Sequence, residues 1–173
     1  MTRYSGRFRT TAPFGLVMAA FFFAASATPA WANSFSIVNN DALAFGAIVA
    51  GSGGTVTIGA SSGARAASGG VTLMNSPYRE ARFTVSCVAD GGADTCTSTS
   101  YYSIDPVADI SLTSGAQSMS VKNFSVYSVN TATSSGQLSG GTDNLKVGAT
   151  LTVGNNQAPG SYAGSFSVTV VYE

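Results

Sequence analysis

The last part of the chain, residues 160–173, alternates apolar side chains with small or polar ones. Its large apolar members all occupy even positions, namely Tyr162, Phe166, Val168, Val170 and Tyr172. Because strand side chains alternate between two faces, they form one apolar stripe about 35 Å long, interrupted only at Gly164. No later segment follows to pair with the free edge of this predicted strand. We expect an earlier part of the chain or another chain to cover that edge.

The first 32 residues have the pattern of a secretory signal peptide. Three arginines precede an apolar run over residues 14–25, and Ala30-Trp31-Ala32 supplies the small residues of a cleavage site. The apolar run is shorter than the roughly 20 residues that a membrane helix needs. We predict cleavage after Ala32, passage through a periplasm, and a single exported domain over residues 33–173 at the cell surface or outside the cell.

The exported part has a composition that excludes several functions. Three of the eight basic residues lie in the leader, so residues 33–173 carry five basic and eight acidic residues, a formal net charge of −3. A nucleic-acid partner is not expected, because phosphate binding requires clustered Lys and Arg. The chain has no His, so a Ser-His-Asp arrangement and imidazole metal ligands are absent. We predict a protein that is not an enzyme and binds no cofactor or metal.

Short apolar runs bounded by Gly, Ser, Asn or Pro predict an all-β domain. An immunoglobulin-like β-sandwich is the commonest solution at this size. The apolar phase shifts by one residue around Asn123 and Phe124, which predicts a β-bulge or a strand that changes sheets. The predicted strands cover residues 35–38, 43–49, 55–58, 71–74, 82–88, 97–104, 110–112, 118–127, 145–153 and 162–172.

Two cysteines flank a turn-forming sequence. Cys87 and Cys96 enclose the segment Asp90-Gly-Gly-Ala-Asp94, and a hairpin centred there places the two cysteines on adjacent strands. We predict a structural disulfide. A redox or metal pair is the alternative, but the spacing is not C-x-x-C and there is no His to complete a metal site.

Two pairs of carboxylates are the remaining candidates for chemistry. Asp90 with Asp94, and Asp105 with Asp109, have spacings that suit a Ca²⁺ site or a glycosidase pair. Each pair falls in a predicted loop, where turn geometry alone favours Asp. We interpret both pairs as turn residues.

Several motifs together resemble domain-of-unknown-function family 4402, a family of exported bacterial pilin-like β-domains. They occur in the family's order and cover nearly all of residues 33–173: Leu43-Ala-Phe-Gly46, Gly51-Ser-Gly-Gly-Thr-Val-Thr57, Ser68-Gly-Gly-Val-Thr-Leu73, Ala81-Arg-Phe-Thr-Val85, Val147-Gly-Ala-Thr-Leu-Thr-Val153 and Ala158-Pro-Gly-Ser-Tyr-Ala-Gly164. The family in turn resembles chaperone–usher fimbrial subunits and spore-coat-protein-U-like pilins. Gly160 and the penultimate Tyr172 match the terminal signature of those pilins.

This resemblance implies an immunoglobulin-like sandwich that lacks its last strand. In such subunits a periplasmic chaperone fills the groove beside the C-terminal strand, and at an outer-membrane usher a neighbouring subunit's N-terminal segment replaces it. The implied function is that of a structural subunit of a fimbria or related surface assembly, joined by β-strand addition. Gly160, Tyr162, Phe166, Val168, Val170 and Tyr172 then belong to the acceptor groove, and Phe35 and Ile37 form the candidate donor segment.

The candidate donor segment is short. Phe35 and Ile37 are its only alternating apolar residues, whereas a full donor strand presents four or five. A segment of this length can instead fold back over the edge of its own domain. Six of these groove and donor residues are also compatible with an ordinary hydrophobic core, namely Phe35, Ile37, Tyr162, Phe166, Val168 and Val170.

A self-contained binding module is the alternative function. Exposed tyrosines on a β-sandwich form flat platforms for sugar rings, and the candidates are Tyr78, Tyr101, Tyr102 and Tyr127. Tyr101 and Tyr102 are adjacent, so on one strand they face opposite ways. Such a module would bind a glycan or a host surface.

Overall fold

A computed structural model describes residues 34–88 and 97–172, and all of its regular structure is antiparallel β. The all-β prediction is confirmed. The twelve strands are β1 (Ser34–Asp41), β2 (Ile48–Val49), β3 (Gly54–Ile58), β4 (Arg65–Gly69), β5 (Thr72–Leu73), β6 (Ala81–Val88), β7 (Tyr101–Ile104), β8 (Ile110–Ser114), β9 (Gln117–Ser128), β10 (Gly136–Gln137), β11 (Thr142–Val153) and β12 (Val170–Tyr172). Across these two ranges, no helix has the length and apolarity needed to cross a membrane.

The long strand β11 is the centre of the largest sheet. One of its edges pairs first with β6 and then with β3, and the other edge pairs with β9. The sheet continues outward through β1 on β6, β4 on β3, and β8 on β9. Two smaller sheets, β10-β7-β12 and β2-β5, complete the β-sandwich.

The predicted irregularity in β9 is a β-bulge. Ser125 pairs with Gly148 and Lys122 with Thr150, so Asn123 and Phe124 together face one residue of β11. Asn123 adopts a left-handed backbone with φ of 51°. The extra residue explains the shift in apolar phase, because Met119 and Val121 are buried before it and Phe124 and Val126 turn inward after it.

Some predicted strands are shorter in the structure, and two strands were missed. Only Ile48–Val49 of residues 43–49 forms a strand, and residues 97–100 precede β7 without joining it. The missed strand β4 has four exposed residues of five, so it lacks the apolar alternation that identifies strands in a sequence. The missed strand β10 is two residues long.

The prediction of one continuous C-terminal strand over residues 162–172 is wrong. Strand pairing is restricted to Val170–Tyr172 on β7 and to a single bridge between Ala163 and Thr113 of β8. Between these contacts, six residues of the C-terminal segment, 164–169, lie opposite eight residues, 105–112, most of which form the connection from β7 to β8. That connection contains Pro106, which has no N–H to donate, so the ladder cannot continue through it.

The interior consists of two hydrophobic clusters. The first cluster centres on β3, β9 and β11, and its buried members are Phe45, Val56, Ile58, Val71, Met119, Val121, Ala149, Leu151 and Val153. The second cluster lies under β6, β7 and β11, and its buried members are Val85, Tyr102, Leu138 and Leu145. The first cluster borders an open groove, whereas the N-terminal strand covers the second cluster.

Several predictions concern residues outside the described ranges. The leader, residues 1–32, lies there, and so do Cys96, Asp90 and Asp94. Cys87 is described and lies on β6, opposite Phe35 of β1. The Cys87–Cys96 pairing therefore remains a prediction.

Candidate functional site

An apolar groove of about 700 Å³ opens beside the C-terminal segment, residues 160–172. Residues 43–50 form its first wall and residues 157–166 form its second wall. The floor consists of side chains from β8, β9 and β11: Ile110, Leu112, Met119, Val121, Leu151 and Val153. The groove therefore borders the first hydrophobic cluster, and the half-buried side chains of Ile110 and Leu112 lie on its floor.

The lining of the groove is uncharged. Among the described residues that line it, none is acidic or basic, and most are aliphatic or aromatic. The side chains of Gln157 and Tyr162 supply the polar groups, and they bond to each other and to the backbone. Gln157 donates to the Tyr162 hydroxyl (2.8 Å), and this hydroxyl donates to the carbonyl of Ala158 (2.8 Å). The side chains of a ligand that enter this groove are expected to be apolar.

One edge of the first wall is hydrogen-bonded to residues 74–79. Ala44 and Arg79 exchange backbone hydrogen bonds (2.9 and 3.0 Å), and Met74 donates to the carbonyl of Ala47 (3.0 Å). Hydrogen-bonded pairs alternate in an antiparallel ladder, so the backbone groups of Ile48 point away from β5. Ile48 lines the groove, and no described residue from 72–79 does, so the groove lies on the side of Ile48 that faces away from β5. The backbone groups of Ile48 therefore point to the groove.

Arg65 holds the first wall in place from behind. Its guanidinium donates to the carbonyls of Phe45 (3.0 Å) and Met74 (2.7 Å) and stacks 4.4 Å from the centre of the Tyr78 ring. Gly46 lies against this guanidinium with φ of 73°, a backbone conformation that favours glycine. The first wall therefore has a defined conformation that the contacts of Arg65 stabilise.

The second wall is also fixed along one edge. Thr113 of β8 donates to the carbonyl of Ala163 (2.8 Å), and Ala163 donates to the carbonyl of Thr113 (3.1 Å). The neighbouring residues Tyr162 and Gly164 consequently point their backbone groups away from β8. Within the part of the chain that the structure describes, the backbone groups of residues 164–168 form no hydrogen bond with another backbone group.

The side chains of the C-terminal segment alternate as a strand does, although most of the segment is unpaired. Its even positions are half-buried, at Tyr162, Phe166, Val168 and Val170, whereas the odd positions from 161 to 171 are exposed. Phe166 contacts the rings of Phe124 (5.0 Å between centroids) and Phe83 (6.3 Å). The predicted stripe thus faces the interior, but no described member of it is fully buried.

The two ends of the predicted stripe have different surroundings. Gly160 lies next to Ser114 and lines the groove together with Tyr162 and Phe166. Val168 and Val170 do not line the groove, and Val170 packs against the second cluster instead. The backbone of Tyr172 pairs with Tyr102. Only one end of the C-terminal segment therefore borders open space.

The N-terminal strand closes the opposite end of the sandwich. Phe35 and Ile37 lie on β1, which pairs antiparallel with β6 of the same chain. Both side chains pack against the second cluster, where the Phe35 ring lies 5.3 Å from that of Tyr102. In this structure the candidate donor residues therefore belong to the core of their own domain.

A buried carboxylate joins the small β7 sheet to the main sheet. Asp143 on β11 is 1% exposed and accepts hydrogen bonds from the Tyr102 hydroxyl (2.7 Å), the Ser128 hydroxyl (2.6 Å) and the Asn130 N–H (3.2 Å). Burial, followed by the hydrogen bond and the charge of Asp143, raises the pKa of Tyr102. Sequence reasoning missed this network, because its members are distant in the chain and form no recognisable motif.

A second buried carboxylate lies at the start of β6. The Glu80 side chain is 5% exposed and contacts Arg82 (2.9 Å) and Lys146 (3.9 Å). Burial acts to raise the pKa of Glu80, but its backbone hydrogen bond, Arg82 and Lys146 outweigh burial and lower the pKa. Glu80 is thus a structural anion that is paired with Arg82 and Lys146.

The other candidate residues are dispersed. Tyr101 is 56% exposed and Tyr102 is fully buried, so the prediction that they face opposite ways is confirmed. Asp105 and Asp109 are both exposed in the connection between β7 and β8. Among the described residues, no group of three His, Cys, Asp or Glu side chains is placed to hold a metal ion.

Comparison with known proteins identifies the family. Neither the curated proteins nor the solved structures gave a match to the chain. A family model described as a domain of unknown function, DUF4402, matches residues 35–172, which include every strand from β2 to β12 and nearly all of β1. The chain therefore belongs to the DUF4402 family of domains of unknown function.

Proposed function

We propose that this protein is a structural subunit of a fimbria or a related surface assembly, joined to its neighbours by β-strand addition. The observation that carries the proposal is the groove, which combines an apolar floor with two walls whose facing backbone edges are unpaired. An extended polypeptide satisfies both features at once, because its backbone pairs with the walls and its alternate side chains cover the floor.

The floor is the energetic reason for such a partner. Met119, Val121, Leu151 and Val153 belong to the first hydrophobic cluster and also line the groove. Each apolar side chain that a partner buries there contributes about 1.5–3 kcal/mol. Three inserted side chains would contribute about 4.5–9 kcal/mol in total, and a new backbone ladder would add to this.

The remaining parts of the proposal follow from the resemblance to fimbrial subunits. The partners are a periplasmic chaperone, an outer-membrane usher and neighbouring subunits. The protein is exported by a signal peptide over residues 1–32, passes through the periplasm and is displayed at the cell surface. A Cys87–Cys96 disulfide belongs to the same exported state.

Co-expression in a periplasm tests this function. The chain is expressed together with its candidate partner subunits, with and without its candidate chaperone, and surface extracts are examined for multimers that resist detergent but dissociate on boiling, and for filaments by electron microscopy. We expect chaperone-dependent multimers. A chain that accumulates without a chaperone and stays monomeric at high concentration would contradict the proposal.

A self-contained binding module is the second candidate, and the exposure of Tyr101 favours it. This ring lies on the outer face of β7, close to the exposed Val171 of β12, which pairs with Ser103. An apolar aromatic face of this kind suits stacking on a sugar ring. Glycan-array binding that Tyr101→Ala abolishes would support this candidate, and equal binding by the two proteins would remove it.

A further inference from the structure

We propose that β1 stays in its own domain when subunits join, so that the groove accepts a short strand from a different polypeptide and not the β1 of a second copy. This inference rests on the proposed function and specifies the partner of the same groove. The occupant is an extended, uncharged segment of about seven residues with about three alternating apolar side chains.

The surroundings of β1 argue that it is an integral strand. All but one of its residues have a Cα partner on β6, from Ser34 opposite Val88 to Asp41 opposite Arg82. Phe35 and Ile37 cover the second cluster, whose buried members include Tyr102 at 0% exposure. Removing β1 would uncover this cluster and leave one edge of β6 without its partner.

The groove is a separate opening at the other end of the sandwich. Its lining begins at Leu43, after the last residue of β1, and on the second wall it ends at Phe166. No described residue of β1 lines it. The strand that closes one end of the interior therefore leaves the other end open.

The dimensions of the opening define the length of the occupant. The free edge of the second wall from Gly160 to Phe166 spans seven residues, or about 23 Å of extended chain. Alternate side chains face one way in a strand, so a segment of this length directs about three side chains to the floor. A full donor strand inserts four or five side chains. Three are enough here because β1 already covers the second hydrophobic cluster.

The chemistry of the occupant follows from the walls. The described lining residues carry no charge, so a charged side chain that entered the groove would lose its hydration without gaining an ionic partner. Ile48 on one side and Tyr162 and Gly164 on the other direct backbone groups toward the open space. These groups require N–H and C=O partners, which an extended polypeptide supplies and a purely apolar ligand does not.

A disulfide that locks β1 in place tests the inference. Val38 of β1 and Thr84 of β6 are directly paired, and Val38 is 53% exposed, so the variant Val38→Cys/Thr84→Cys places the lock on the outer surface. Mass spectrometry establishes that it has formed. The probe is a fluorescein-labelled heptapeptide that alternates valine with serine or threonine, and binding to the parent chain and to the locked variant is measured by fluorescence anisotropy.

We expect the locked variant to bind the heptapeptide within about twofold of the parent affinity. A fall of tenfold or more in the heptapeptide affinity of the locked variant would show that β1 must leave its domain. Dimers that form with the parent chain but not with the locked variant would show the same. Either result overturns this inference but leaves strand addition standing. If neither protein binds the heptapeptide, strand addition to the groove fails, and the proposed function fails with it.

A matched pair of substitutions locates the probe. Phe166→Asp places a charge on the inward, groove-lining face, and Ser165→Asp places the same charge on the exposed face of the same segment. We expect heptapeptide affinity to fall at least tenfold for Phe166→Asp and to stay within twofold for Ser165→Asp. Circular dichroism identifies any unfolded variant, and equal affinities for two folded variants would place the probe outside the groove and overturn the inference.

Discussion

Thr113 and Ala163 exchange two backbone hydrogen bonds, of 2.8 and 3.1 Å, and this pair fixes the orientation of the C-terminal segment. Because Ala163 faces β8, its neighbours Tyr162 and Gly164 direct their N–H and C=O groups to the opposite edge. That edge borders the groove. This bridge thus determines which backbone edge of the C-terminal segment faces the groove.

The two faces of the C-terminal segment are expected to tolerate charge differently. Val168 is half-buried, whereas Thr169 is exposed and contributes its carbonyl, not its side chain, to a hydrogen bond with Asp105. We expect Val168→Asp to abolish accumulation in the periplasm and Thr169→Asp to reduce it only slightly. Immunoblots of periplasmic extracts measure both. Equal losses would mean that both faces are buried in the cell and that no single face is specialised.

The buried Tyr102–Asp143 hydrogen bond is expected to contribute measurably to stability. Tyr102→Phe keeps the ring but leaves the carboxylate with Ser128 and Asn130 as its donors. A hydrogen bond to a charged group contributes about 1.5–3 kcal/mol, and we expect the free energy of unfolding to fall by that amount. Urea unfolding provides the measurement.

Tyr101→Phe is the matched control for that loss, because Tyr101 is the exposed neighbour on the same strand. We expect its free energy of unfolding to stay within about 0.5 kcal/mol of the parent value. A Tyr102→Phe variant as stable as the control would show that the buried network contributes nothing.

Stability is expected to fall in acid partly through Glu80. Its pKa is lower in the folded chain than the ordinary value of about 4.3, so the folded state binds this proton more weakly than the unfolded state does. The resulting stabilisation is complete about one pH unit above that ordinary value and is lost as the pH falls through the lower, folded pKa. We expect Glu80→Gln to flatten the dependence of unfolding free energy on pH in that window. An unchanged slope in the variant would contradict the role of Arg82 and Lys146.

Loss of the predicted disulfide is expected to destabilise the exported domain. The Cys87–Cys96 loop is short, so the expected cost of Cys87→Ser is about 2–3 kcal/mol in the free energy of unfolding. The parent protein under reducing conditions should unfold at the same urea concentration as the variant. A parent protein that is indifferent to the reductant would show that the two cysteines are unpaired.

Residues that alternate or flank a turn could be predicted well from the sequence. The bulge at Asn123, the opposite orientations of Tyr101 and Tyr102, and the inward face of residues 162–170 all follow from side-chain periodicity. Periodicity reports which way a side chain faces. It does not report whether the backbone beside it finds a partner.

The features that the sequence did not predict depend on contacts between distant residues. Strand β4 is recognisable only from its pairing with β3, and Tyr102 of β7 meets Asp143 of β11, 41 residues away in the chain, only where the two sheets pack together. The first wall of the groove likewise depends on Arg65, which reaches back 20 residues to the carbonyl of Phe45. Local propensity contains no information about these encounters.

The central claim is that a partner strand pairs with the free backbone edge of the second wall. Hydrogen–deuterium exchange at the amides of residues 162–168 tests this directly, with assembled multimers compared against the isolated chain. The claim predicts that alternate amides in this segment exchange at least about tenfold more slowly in the multimers, because each gains a ladder hydrogen bond. Equal exchange rates at these amides in intact multimers would contradict it.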